Sequence, residues 1–166
     1  MDEHEALLKL SALCSRSEVS SGEAMEKMWR WKVPEEVRQR VLDRLISERF
    51  IDDERFSRFF TRDKIRFDHW GRRKIEQALM RKGVAADIAQ SVLNEFCDDD
   101  YAEQLTRLLI AKRRSVKAAN AYELTAKLTR YALGRGFSYG QIKTCLARIG
   151  EDGEMDGDVF VDVDDA

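Results

Sequence analysis

An apolar pattern returns at a fixed distance along this chain. Val33-x3-Val37-x3-Val41-Leu42 is matched by Val84-x3-Ile88-x3-Val92-Leu93, 51 positions later. Phe137, Ile142 and Leu146 repeat the theme 53 positions after Val84, with one residue inserted. The acidic start Asp52-Asp53-Glu54 ahead of an aromatic-rich helix is echoed by Asp98-Asp99-Asp100-Tyr101. A period near 50 with helical spacing inside each period predicts tandem three-helix units, each too small to bury much surface alone. The expected repeats cover residues 4–49, 50–97 and 98–149, followed by an acidic, flexible tail over 150–166. Stacked units of this kind predict an elongated, curved, right-handed-type helical array.

Local signals agree with an all-α chain. There is one proline in 166 residues, and the body lacks runs of alternating β-branched residues. Ser20-x-x-Glu23 and Ser138-x-x-Gln141 read as capping boxes, and Pro34-Glu35-Glu36 as a first helical turn. Gly83 and Gly136 suit helix-ending positions, where Lys32 stands in the first repeat.

The middle repeat carries two patterns on one helix. At about 100° per residue, Phe56, Phe59, Phe60 and Phe67 share a narrow arc, with Arg55, Arg58, Arg62 and Arg66 in the arc beside it. The phenylalanines Phe56, Phe59 and Phe60 are expected in the core, where burying each contributes about 2–3 kcal/mol. Asp52 and Asp53 are expected to cap the helix that starts there, and Gly71 and Gly83 to serve turns. The arginines supply planar, bidentate contacts for carboxylates or phosphates. Arg72, Arg73, Lys74, Arg81 and Lys82 extend that charge along the next helix. Lys112, Arg113, Arg114 and Lys117 form a second basic cluster in the third repeat, where only some can share one helix face. Trp29, Trp31 and Trp70 are expected at junctions between repeats, and Tyr122, Tyr131 and Tyr139 at the edge of the core.

The formal net charge of −2 conceals segregation. Residues 104–150 hold ten basic side chains and one acid, Glu123, whereas 151–166 hold eight acids and no base. A basic C-terminal half points to an anionic partner. No apolar run is long enough for a membrane span, and Met1-Asp2-Glu3-His4 does not open a secretory leader, so a cytoplasmic protein is expected. Cys14, Cys97 and Cys145 lack metal-ligand or redox spacing, and neither a phosphate-binding glycine loop nor a hydrolase motif occurs. The residues therefore predict a binding protein without a cofactor or metal.

The run Phe50-Ile51-Asp52-Asp53-Glu54-Arg55-Phe56, then Arg62, then Trp70-Gly71-Arg72-Arg73-Lys74-Ile75-x3-Leu79-x2-Lys82-Gly83-Val84, resembles the RecX family, bacterial regulators of the recombinase RecA. The likeness extends more weakly over residues 4–149. It implies a non-enzymatic monomer that binds RecA, above all as the nucleoprotein filament. Such a protein would lie in the filament groove and restrain extension, strand exchange, ATP hydrolysis and co-protease activity, and so modulate DNA repair and the SOS response. Some members also bind DNA. On that reading Ile75, Leu79 and the glycines are structural, and the arginines and lysines named above meet RecA carboxylates, DNA phosphates or solvent.

Overall fold

The computed structural model describes residues 1–151, and every regular element among them is a helix. The acidic segment expected to form a tail lies outside the described residues, apart from the end of the last helix. In chain order the helices are α1 (Glu3–Arg16), α2 (Ser21–Arg30), α3 (Glu35–Ser47), α4 (Asp53–Arg66), α5 (Arg72–Arg81), α6 (Ala86–Leu93), α7 (Asp98–Arg113), α8 (Ala121–Gly134) and α9 (Tyr139–Glu151). They fall in threes, as the period in the sequence requires.

The compact units do not coincide with those threes. One unit contains residues 1–61 and 76–95, the other 62–75 and the residues from 96 on. The division passes through α4 and α5, so the N-terminal end of α5 belongs to the second unit and its C-terminal end to the first. In the first unit α3 packs on both α1 and α2 around Leu10, Met28, Val41, Leu45 and Ile51. In the second, α7, α8 and α9 pack pairwise, with Tyr101, Leu105, Leu128, Phe137 and Ile142 buried.

The second helix of each three ends in the same turn. Val33 N donates to Met28 O at 3.0 Å, Val84 N to Leu79 O at 3.1 Å, and Phe137 N to Ala132 O at 3.3 Å. These six-residue closures satisfy orphan carbonyls and require a left-handed residue just before the donor. That residue is Lys32 (φ 59°), Gly83 (φ 76°) or Gly136 (φ 95°). The first turn therefore has the same geometry as the others, although it is built with lysine.

Two of the three glycine-equivalent positions carry a second constraint. A Cβ on Gly83 would lie 2.6 Å from Gly22 Cα, and one on Gly136 would lie 2.5 Å from Lys74 N. At each place the N-terminal end of one second helix sits on the C-terminal end of the next. Ser20 Oγ donates to Lys82 O at 2.6 Å, and Gly71 N donates to Arg135 O at 2.8 Å. Lys32 is exposed, so its side chain meets no such backbone.

Several expectations need correction. Phe56 is buried and stacks on Phe60 at 5.8 Å, but Phe59 is 53% exposed and Phe67 69% exposed. The buried face of α4 runs through Ser57 and Thr61, both fully buried, and Phe59 lies about 160° from each of them. Asp52 does cap α4, accepting from Arg55 N at 3.1 Å. Asp53 instead reaches the start of α2, where it accepts from Ser21 N at 2.7 Å and from the Ser21 hydroxyl. Trp29, Tyr122 and Tyr139 are exposed rather than packed at junctions or core edges.

Candidate partner-binding surface

The arginine arc of α4 divides into two kinds of residue. Within the first unit, Arg55 Nε donates to Glu18 at 2.7 Å while its Nη2 donates to the Arg49 and Phe50 carbonyls at 3.1 and 3.3 Å. Arg58 holds Glu95 with two hydrogen bonds of 2.7 Å and reaches Glu54 at 3.0 Å. Those contacts, Glu95 foremost, push the Arg58 pKa above its ordinary value. Both guanidiniums tie α4 to connecting segments of its own unit. Lys82 is likewise engaged, pairing with Glu23 at 2.5 Å above the Phe60 ring. Arg81 is exposed.

The second unit presents the other kind. Arg62 and Arg66 are exposed one helical turn apart, and Arg73 is exposed on the first turn of α5. No described carboxylate pairs with these three guanidiniums. Arg66 lies over the exposed Phe67 ring at 5.6 Å. The Trp70 indole has the ammoniums of Lys64 and Lys74 at 4.7 and 4.5 Å from its centre, with Lys64 also bound to Asp68 at 3.0 Å. Arg72 is half-buried. Sequence reasoning found the arginines here but missed Phe67 as an exposed ring and Trp70 as a platform for two lysines. The signal for the platform was present, because Lys64 and Lys74 flank Trp70 across the turn between α4 and α5.

The basic cluster of the third repeat also divides. Arg113 is 3% exposed and belongs to the interior, which removes it from the partner surface. It is the last residue of α7, on the face shared with the buried Leu105 and Leu109. Arg114 and Lys117 remain exposed. Lys112 lies over the Tyr131 ring at 4.5 Å, and Arg135 covers the same ring at 5.4 Å while donating to the Tyr131 hydroxyl at 3.1 Å and the Asp68 carbonyl at 3.2 Å.

Burial pushes the Cys14 and Cys145 thiols up, away from the reactive thiolate, and Cys145 lies 3.2 Å from the Thr106 hydroxyl. No grouping of metal-ligating side chains occurs among the described residues, and none of their helices is long and apolar enough to cross a membrane. What the surface offers is three guanidiniums with no described carboxylate partner, one of them over the exposed Phe67 ring.

Comparison with known proteins gives the chain its family. Residues 52–93 match the model of the RecX second three-helix domain, and residues 98–146 that of the RecX third three-helix domain. The chain is 33% identical over 147 residues to the Regulatory protein RecX of Chlorobium limicola, covering 88% of each chain. The chain belongs to the RecX family. The RecX of Clostridium perfringens strain SM101 is 28% identical over 131 residues, which span 76% of this chain but 60% of that one. The crystal structure of RecX from Lactobacillus salivarius superposes with a TM-score of 0.80 at 20% identity, covering 90% of this chain and 97% of that one. A second RecX crystal structure gives 0.78 at 21% identity. The RecX models place α4–α6 and α7–α9 as the second and third three-helix domains, in the order the period suggests.

Proposed function

We propose that this RecX-family chain is a cytoplasmic, non-catalytic regulator that binds the RecA nucleoprotein filament and restrains its extension and activities. The observation that carries this reading is the second unit's set of Arg62, Arg66 and Arg73 beside Phe67 and Trp70. Among the described residues no carboxylate holds these cations, unlike Arg55 and Arg58. Arginine forks suit the carboxylates of a protein groove, and their stems and the neighbouring rings cover apolar area as they bind.

The test is RecA-dependent ATP hydrolysis on single-stranded DNA, titrated with the chain. Hydrolysis is expected to fall as the chain is added. Replacing Arg62, Arg66 and Arg73 by Glu together should raise the concentration needed for half-inhibition at least about tenfold, the loss of one or two good charge contacts. Inhibition at wild-type potency by that variant would refute the site, and no inhibition by the wild type at any ratio would refute the function.

A second reading is favoured by Lys112, Tyr131 and Arg135, whose stacked cations and ring suit a nucleic-acid backbone. In that case the chain binds DNA without RecA and excess DNA relieves inhibition.

A further inference from the structure

One acid stands among ten basic side chains over residues 104–150, and that acid, Glu123, is held by Lys127 at 3.0 Å. The stretch therefore keeps its positive charge. Part of that charge is gathered on one ring. The Lys112 ammonium lies 4.5 Å from the centre of the Tyr131 ring, and the Arg135 guanidinium 5.4 Å from it. The described acceptors of Arg135 are neutral oxygens, the Asp68 carbonyl and the Tyr131 hydroxyl. No described carboxylate pairs with either cation. Lys112, Tyr131 and Arg135 are all half-buried, so the ring and both charges still reach solvent.

The complementary charge lies in the sequence that follows α9. Residues 151–166 hold eight acids and no base, with Phe160 set among Val159, Val161 and Val163. Side chains of an extended segment alternate between two sides. At that period Asp156, Asp158, Phe160, Asp162 and Asp164 fall on one side, an aromatic ring with two carboxylates on either hand. The Tyr131 surface is its counterpart, a ring bordered by two cations. The lengths agree as well. α9 begins four residues after Arg135 and has 13 residues, so its C-terminal end stands about 20 Å from its start. Seven residues of extended chain after Glu151 cover about 23 Å, which returns Asp158 and Phe160 to the level of Arg135.

We propose that residues 156–164 lie across the Tyr131 surface of the same chain, their carboxylates meeting Lys112 and Arg135 and the Phe160 ring set against Tyr131. The tie through α9 makes the contact intramolecular, at a roughly millimolar effective concentration, so a few exposed charge pairs suffice to hold it. The surface is then a guarded one. An anionic partner reaches Lys112 and Arg135 by displacing the segment, and only a partner with more contacts than the segment makes does so. The proposal concerns the surface of the second reading above, but the contact needs neither nucleic acid nor RecA and is tested without them.

Amide NMR spectra of the full chain test it. The variant with Asp156→Asn, Asp158→Asn, Asp162→Asn and Asp164→Asn changes only positions outside the described helices. Against the wild type, its signals should shift at Lys112, Tyr131, Arg135 and their neighbours. Raising salt to about 1 M, where the Debye length is about 3 Å, should move the same signals in the wild type but not in the variant. Phe160→Ala should shift the signals around Tyr131, and Lys112→Glu should in turn shift those of residues 156–164. None of these shifts should depend on protein concentration, which separates a contact within the chain from one between chains. Changes confined to the substituted segment would overturn the proposal. So would changes centred on Arg62, Arg66 and Arg73 instead, or shifts that grow with concentration.

Discussion

Tyr101 is buried in the second unit with its hydroxyl lacking a hydrogen-bond partner among the described residues. Burial, opposed by Arg72 and aided by Asp100 and Asp98, pushes its pKa from an ordinary 10.0 to about 12. The neutral form is the one the fold holds, so the native state keeps the proton longer than the unfolded chain does. The stability that follows is fully present below pH 10 and is lost as pH rises from there through about 12. Tyr101→Phe removes the titrating group without removing the ring. Denaturant midpoints measured across that window should fall less steeply for the variant than for the wild type. Parallel curves would show that Tyr101 does not couple folding to pH. Arg55 and Arg58 belong to this scale as well. They look like Arg62 and Arg66 in the sequence, and only the positions of Glu18 and Glu95, each 37 residues away, separate the two kinds.

At the scale of the element, the three second helices perform a natural experiment on one turn. Lys32, Gly83 and Gly136 all adopt positive φ, but only the glycines have neighbouring backbone where a Cβ would stand. A non-glycine residue in this region costs about 1–2 kcal/mol. Lys32→Gly should therefore stabilise the chain by about 1 kcal/mol. Gly83→Ala adds a collision with Gly22 to the same strain and should destabilise by about 3 kcal/mol or more. Chemical denaturation of both variants checks this, and equal effects of opposite sign would mean that the close approach adds nothing. This turn was legible in the sequence, because a helix end fixes glycine, spacing and apolar neighbours together. The interior face of α4 was not. Its centre is Ser57 and Thr61, small polar residues that an apolar-arc reading passes over, and Phe59 lies on the far side. Asp53 was misread for a similar reason. A carboxylate at a helix start predicts capping correctly, but sequence spacing cannot reveal that the helix it caps is α2 rather than its own.

For the whole molecule the controlling quantity is where charge lies. Removing residues 151–166 takes away eight acids and no base, and so changes the formal net charge from −2 to +6. Long-range attraction to an anionic polymer depends on that sum, whatever the detailed contacts are, and acts mainly on the association rate. The chain truncated after Gly150 should therefore associate faster than the full chain with RecA-coated single-stranded DNA. The advantage should shrink as the Debye length falls from about 10 Å at 0.1 M salt to about 3 Å at 1 M. Dissociation rates separate this from a change in the docking surface, because steering leaves the bound contacts intact. Stopped-flow measurements on both chains at several salt concentrations supply the two rates. Equal association rates at low salt would show that the basic residues of 104–150, rather than the molecule's total charge, govern the encounter.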